Sequence, residues 1–225
     1  MIAIGRRGLV LGLFAGAVLP VTHARAEPDA GSADAGDARE RLEGARLDAL
    51  LEEVARARKG VRTLRASFTQ ERRLRLLATT VASKGQLTFV APDRLRWELA
   101  PPDDVVYWVG PEGLAYRTRS SKASVPSAGA NVAQALGDVR ALLGGDIGPL
   151  RERYALGAAR GPRDVEISGA ARQAGTSVRA FTLVLDKTLV LPLRARLVEG
   201  KADTIDLVFA NAAANVPVDL ATMRP

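Results

Sequence analysis

The chain reads as a mainly β fold of the α+β class: a strongly curved antiparallel sheet of about ten strands, with one helix ahead of it and another in its middle. Two observations predict this. Short apolar runs with period-two alternation recur from residue 61 to residue 209, separated by short polar or glycine-rich turns. Only two long stretches show the three- and four-residue spacing of an amphipathic helix, and strands follow strands rather than alternating with helices, which argues against a βαβ arrangement.

At the N-terminus, Arg6 and Arg7 precede an apolar run from Gly8 to Val21, and Ala24-Arg25-Ala26 places small residues where a signal peptidase reads. Residues 1–26 are therefore expected to be a cleaved signal peptide, since the run is shorter than the roughly 20 apolar residues of a membrane span. Residues 27–38 hold Pro, Gly, Ala, Ser and Asp without a large apolar side chain and are expected to be a disordered linker. Residues 39–225 then form one domain, long enough for one substantial core.

The first helix is expected over 39–58, where Leu42, Ala45, Ala49, Leu50, Val54 and Ala57 recur at helical spacing and Gly60 stands ready to cap the end. Strands are expected at 61–76, 80–90, 94–99, 105–109 and 114–119. Alternation puts Ala66, Phe68 and Gln70 on one face, with Leu87 and Phe89, then Leu95, Trp97 and Leu99, while Arg94, Arg96 and Glu98 turn outward. Gly110-Pro111-Glu112-Gly113 is a turn. A loop is expected over 120–130. The second helix follows over 132–143, with Val132, Ala135, Leu136, Val139, Leu142 and Leu143 on one side and Gly144-Gly145 as its stop, and a short helical piece continues at 149–153. The remaining strands are expected at 154–159, 163–168, 178–185, 190–198 and 204–209. Their inward faces are Phe181, Leu183 and Leu185, then Leu191, Leu193, Ala195 and Leu197, then Ile205, Leu207 and Phe209.

Composition excludes much chemistry. Cysteine is absent and the only histidine, His23, lies in the expected signal peptide, so the mature chain lacks the residues of thiol and Ser-His-Asp catalysis and of most zinc sites. No catalytic residue, cofactor or metal is expected. The whole chain carries +7, and loss of Arg6, Arg7 and Arg25 leaves 29 basic against 25 acidic residues, a charge of +4. Nucleic acid is not an expected partner of an exported protein with so mild an excess. The densest basic cluster, Arg72, Arg73 and Arg75, reads first as the solvated end of a hairpin and second as a contact for anionic lipid or an acidic partner. A sheet of this size has more inward positions than two short helices cover, and nine mature aromatic residues are few to fill the gap. An apolar cavity lined by Leu, Val and Ala is the expected result.

The strand Ala66 to Gln70 followed by Gly85-x-Leu87-x4-Pro92-x4-Trp97 resembles the LolA family, periplasmic carriers that ferry lipoproteins between the inner and outer membranes of Gram-negative bacteria. The resemblance implies an incomplete antiparallel barrel with a helical lid over an apolar cavity. It implies lipoprotein acyl chains as ligand, an inner-membrane ABC transporter complex as donor, an outer-membrane receptor as acceptor, a periplasmic location and a monomer. Carried over by position, Phe68, Leu87, Phe89, Leu95 and Trp97 fall on cavity strands, joined on the inward faces named above by Leu183, Leu193 and Leu207. Ala135, Leu136, Val139 and Leu142 fall on the lid, and Asn215-Val216-Pro217-Val218 looks like the family's closing segment. One departure stands out: the family commonly places Arg or Lys before the proline, a residue thought to bond to the lid, whereas Ala91 precedes Pro92 here. A looser lid is expected unless Lys84, Arg94 or Arg96 substitutes. That departure leaves open a dedicated lipid or glycolipid carrier or a lipid-sensing regulator of similar fold, with a histidine-free periplasmic hydrolase as the enzyme-class rival.

Overall fold

Period-two alternation across the chain is realised as a single antiparallel sheet in the computed structural model, which describes residues 39–225 apart from 76–77, 120, 125–129, 175 and 201–202. The expected signal peptide and linker lie outside the described residues. The elements are β1 (Glu40–Leu42), α1 (Gly44–Lys59), β2 (Thr63–Leu74), β3 (Thr79–Val90), β4 (Arg94–Leu99), β5 (Val105–Gly110), β6 (Gly113–Thr118) and β7 (Ser121–Ser124). They continue with α2 (Ala130–Gly144), α3 (Gly148–Arg153), β8 (Tyr154–Arg160), β9 (Asp164–Ala171), β10 (Val178–Asp186), β11 (Pro192–Glu199) and β12 (Asp203–Ala214). The strand order is β1-β8-β9-β10-β11-β12-β2-β3-β4-β5-β6-β7, so β12 closes onto β2 in mid-sheet while β1 and β7 remain as edges. The result is an incomplete, curved β-barrel with a helical lid.

Two of the twelve strands have no counterpart in the expected set. The stretch expected to open the first helix is instead β1, paired Glu40↔Arg160 to Leu42↔Ala158, because Gly44 turns the chain at φ +53° and the helix starts there. The loop expected over 120–130 contains β7, paired to β6; its Ser-Lys-Ala-Ser composition carries no apolar alternation to announce it. The other boundaries agree within a few residues. Gly60 caps α1 with right-handed backbone (φ −81°), and Gly145 ends α2 at φ +76°.

Register places the large apolar side chains on the concave face. Leu64, Phe68, Leu87, Phe89, Leu95 and Trp97 from β2 to β4 share one core with Leu183, Leu185 and Leu207 from β10 and β12. Leu50, Leu51 and Val54 of α1, with Leu142 and Leu143 of α2, complete it. Two glycines on this face seat aromatic rings. A Cβ on Gly85 would stand 2.3 Å from the Phe68 ring, and one on Gly169 would stand 2.3 Å from the Phe181 ring. Only glycine leaves room for either ring to lie flat against the neighbouring strand. On the convex face Val106, Trp108 and Ala115 form a second, small cluster. The C-terminal segment covers it: Trp108 Nε1 donates to the Thr222 carbonyl at 2.9 Å, and Met223 is buried. Earlier in that segment Asn215 accepts from the Arg62 N–H at 2.8 Å and Thr63 Oγ1 donates to the Val216 carbonyl at 2.6 Å, which ties the end of β12 to the start of β2.

Candidate functional site

Between the concave face and α2 lies a cavity of about 40 Å³ with apolar walls. The sheet contributes Leu87, Trp97, Leu183, Leu197, Leu207 and Phe209, and α2 contributes Ala135, Val139 and Leu142. A void of that size holds a water molecule or two and is far too small for a long alkyl chain. Period-two strands supply the floor and a helix with one apolar stripe supplies the roof, which is why one side of α2 faces the sheet.

The expected site residues divide by depth. Leu87, Trp97, Leu183 and Leu207 line the cavity, as do Ala135, Val139 and Leu142 of the lid. Phe68, Phe89, Leu95 and Leu136 are buried in the surrounding core and do not reach its wall. Leu193 does not reach it either. A register shift between Val184 and Leu185 pairs Leu185 with Pro192, leaves Leu193 as the unpaired extra residue, and makes Pro192 the wall residue. Simple alternation misplaces a side chain wherever a bulge adds a residue. Val178, Leu143 and Asp138 also line the cavity without having been expected to.

Asp138 is the most consequential of these. It sits on α2 at 4% exposure and touches the apolar cavity from the lid side. The Tyr154 hydroxyl at the start of β8 donates to its carboxylate at 2.6 Å, and the Arg153 guanidinium donates to it as well. Gln134, one turn earlier, donates to the Tyr154 oxygen at 3.4 Å and accepts from Ser177 Oγ at 3.3 Å. Burial raises the Tyr154 phenol well above its ordinary pKa, and the Asp138 carboxylate raises it further, so the phenol stays a donor. A second bond ties the lid to the sheet: Arg140 donates to the Gly110 carbonyl at 3.4 Å.

The three residues expected to substitute for the family's latch do not reach α2. Arg94 pairs with Glu112 at 2.8 Å, Arg96 pairs with Glu98 at 2.5 Å, and Lys84 is exposed beside Gly85, so none of the three holds the lid. Where the family pattern has a basic residue before the proline, this chain has Ala91 and anchors α2 through polar groups on the lid itself. A lone acid inside an apolar helical stripe is the sequence signal for it, with Arg153-Tyr154 as partners whose approach only the fold reveals.

The basic cluster also resolves. Arg73 pairs with Asp206 at 3.1 Å and Glu71 at 3.3 Å, Arg72 pairs with Glu199 at 3.2 Å, and the Arg75 N–H donates to Asp203 at 2.9 Å. Glu199 of β11, Asp206 of β12 and Glu71 of β2 itself thus pair the guanidinium groups of Arg72 and Arg73, and the hairpin end is not a bare cationic patch. Among the described residues no group of three or more acidic, His or Cys side chains is placed to hold a metal, and no helix is long and apolar enough to cross a membrane.

Comparison with known proteins gives one match by family. Residues 59–222 match the family described as outer membrane lipoprotein carrier protein LolA. No curated protein sequence matches the chain. Among solved structures, a LolA superfamily protein from Nitrosomonas europaea shares 8% identity over 80% of this chain and 97% of its own, with a TM-score of 0.42. The MucA/MucB complex of Pseudomonas aeruginosa gives 15% identity over 80% of this chain and 60% of the matched chain, with a TM-score of 0.46. Lipoprotein LppX of Mycobacterium tuberculosis gives 14% identity over 76% and 99%, with a TM-score of 0.40.

Proposed function

Because the chain belongs to the LolA family, we propose that it is a carrier rather than an enzyme, and that it takes the acyl chains of lipoproteins into the cavity beneath α2. The observation that carries this reading is the apolar wall formed by Leu87, Trp97, Leu183 and Leu207 under a helix held down by a few breakable polar bonds. At ~0.8 kcal/mol per buried CH₂, an exposed long acyl chain costs on the order of 10 kcal/mol, which makes unassisted passage through water very slow. A cavity that relieves most of this cost needs no catalytic group. The rest of the family's programme is proposed with it: export to the periplasm by the signal peptide, loading by an inner-membrane ABC transporter complex, and delivery to an outer-membrane receptor.

The two tryptophans provide the test. Trp97 lies on the cavity wall, whereas Trp108 is on the convex face beneath the C-terminal segment. A fatty acid brominated along its chain should therefore quench the fluorescence of Trp97 and leave that of Trp108. The Trp97→Phe protein should bind the same ligand with almost no quenching. Equal quenching of both proteins would place the ligand outside the cavity and refute the reading. Lipids and lipoproteins co-purifying with the native protein, identified by mass spectrometry, then test the cargo.

A further inference from the structure

The concave face is not apolar throughout. Along β2 its inward positions run Leu64, Ala66 and Phe68 and then change to Gln70 and Arg72; along β11 they run Ala195 and Leu197 and then change to Glu199. Beside Trp97, the register brings Tyr107 of β5 and Tyr116 of β6 onto the same face, their ring centroids 6.3 Å apart. Arg72 and Glu199 meet at 3.2 Å across Ile205, which pairs with both Leu197 and Arg72. Cavity residues therefore pass directly into a rim that holds the Arg72–Glu199 pair, the Gln70 amide and two phenols, with Asp103, bonded to Ser83 opposite Gln70, on its Tyr107 side.

Resting on the reading of the cavity as an acyl-chain site, but going beyond lipoprotein cargo, we propose that this rim is a head-group site for a zwitterionic amphiphile, one bearing a phosphate and an ammonium, whose alkyl chain lies in the cavity. A cation and a carboxylate side by side form the pattern complementary to such a head: Arg72 takes the phosphate oxygens and Glu199 the ammonium. A purely anionic head meets Glu199 as a like charge, and a purely cationic one meets Arg72. Arg72 retains 46% of its side-chain exposure and Glu199 17%, so the pair is reachable without unfolding the sheet. The Tyr107 phenol is raised in pKa by burial and drawn back by the charge of Arg72, in keeping with the two facing one another across the rim. Gln70, opposite Leu207 in the ladder, adds an amide at the join between rim and cavity.

The test uses three single-chain lipids of equal length, lysophosphatidylethanolamine, lysophosphatidylglycerol and monoacylglycerol, each competed against a fluorescent fatty acid. Unsubstituted protein should prefer the zwitterionic lipid over both others by about tenfold, the size of one charged hydrogen bond. Arg72→Gln should abolish that preference and leave monoacylglycerol binding unchanged, and Glu199→Gln should shift it toward the anionic lipid. Both positions are at the solvent edge, and far-UV circular dichroism confirms that the variants fold. If all three proteins bind the three lipids in the same proportions, the pair is a clasp between strands and the inference falls while the cavity reading stands. If monoacylglycerol fails to compete with any of them, the cavity reading itself falls. Competition by free phosphoethanolamine as strong as by the lipid would overturn the assignment of an amphiphile.

Discussion

Gly85 illustrates how one side chain's absence shapes the core. The Phe68 ring occupies the space a Cβ would need, and the Glu98 carbonyl lies closer still, at 2.1 Å from the same point. Gly85→Ala must displace both strand and ring, and overpacking of this kind costs about 1–3 kcal/mol. Urea denaturation of the two proteins should show the loss as a lower midpoint at unchanged slope. Arg58 is the opposite case, a side chain where theory would not place one. Near the C-terminus of α1 it is 2% exposed, its three guanidinium nitrogens have no hydrogen-bond acceptor, and burial lowers its pKa to about 10 against the opposing charge of Asp186. Its stem nonetheless packs: a Cβ on Gly145, just past the lid, would stand 2.7 Å from the Arg58 Cβ. Even buried charges that have a partner can often be replaced by well-packed apolar side chains with no loss, or with a gain of about 1–4 kcal/mol. Arg58→Met should therefore raise the melting temperature, and a lowered one would mean that the guanidinium has a role the packing does not explain.

Among the elements, α2 roofs the cavity, and it is also where sequence reasoning succeeded and failed side by side. Helical spacing gave its position and apolar stripe, since both depend on neighbours three and four residues apart. Its bonds to the rest of the molecule were not legible, because Asp138 meets Tyr154 and Arg153 through a return of the chain that no local pattern encodes. The expectation that Ala91 loosens the lid rested on one position of a family pattern, and the structure supplies other anchors. Asp138→Asn keeps the shape but removes the charge that receives both donors, a change worth about 1–3 kcal/mol for a buried, charge-assisted pair. Amide hydrogen exchange across α2 should then quicken by one to two orders of magnitude. Ala91→Arg should leave it unchanged, and a marked slowing in that variant would restore position 91 as the missing latch.

At the level of the whole molecule, the antiparallel character of the sheet and ten of its strands were legible in the sequence, because short turns between strands favour hairpins. The pairing of β12 with β2 joins distant parts of the chain and was not. The edge strands were not, since a three-residue and a four-residue strand carry too little alternation to be seen. Short edges are themselves protective, as they offer little backbone to a second chain. One of them is fastened by charge. Arg39, just ahead of β1, bonds to Asp164 of β9 at 2.8 Å and 3.0 Å and to Glu166 at 3.3 Å. The Arg39 bond holds the Asp164 carboxyl below its ordinary pKa, outweighing its partial burial. A carboxylate with a depressed folded pKa contributes stability at every pH above its unfolded value of about 3.9 and loses it as pH falls toward the folded one. Asp164→Asn should consequently flatten the decline of stability between about pH 5 and pH 2, measured by urea midpoints across that range.

The two unjoined edges have a consequence for capacity. A closed barrel has a diameter fixed by its strand number and stagger, and it widens only by breaking ladder bonds. A rolled sheet with a seam behaves instead like an expansion joint: a slight relaxation of twist at each of its eleven strand pairings enlarges the interior while every pairing persists. If the cavity carries a load, as proposed, a bulkier one is met by unrolling rather than by rupture, and the bore follows the cargo.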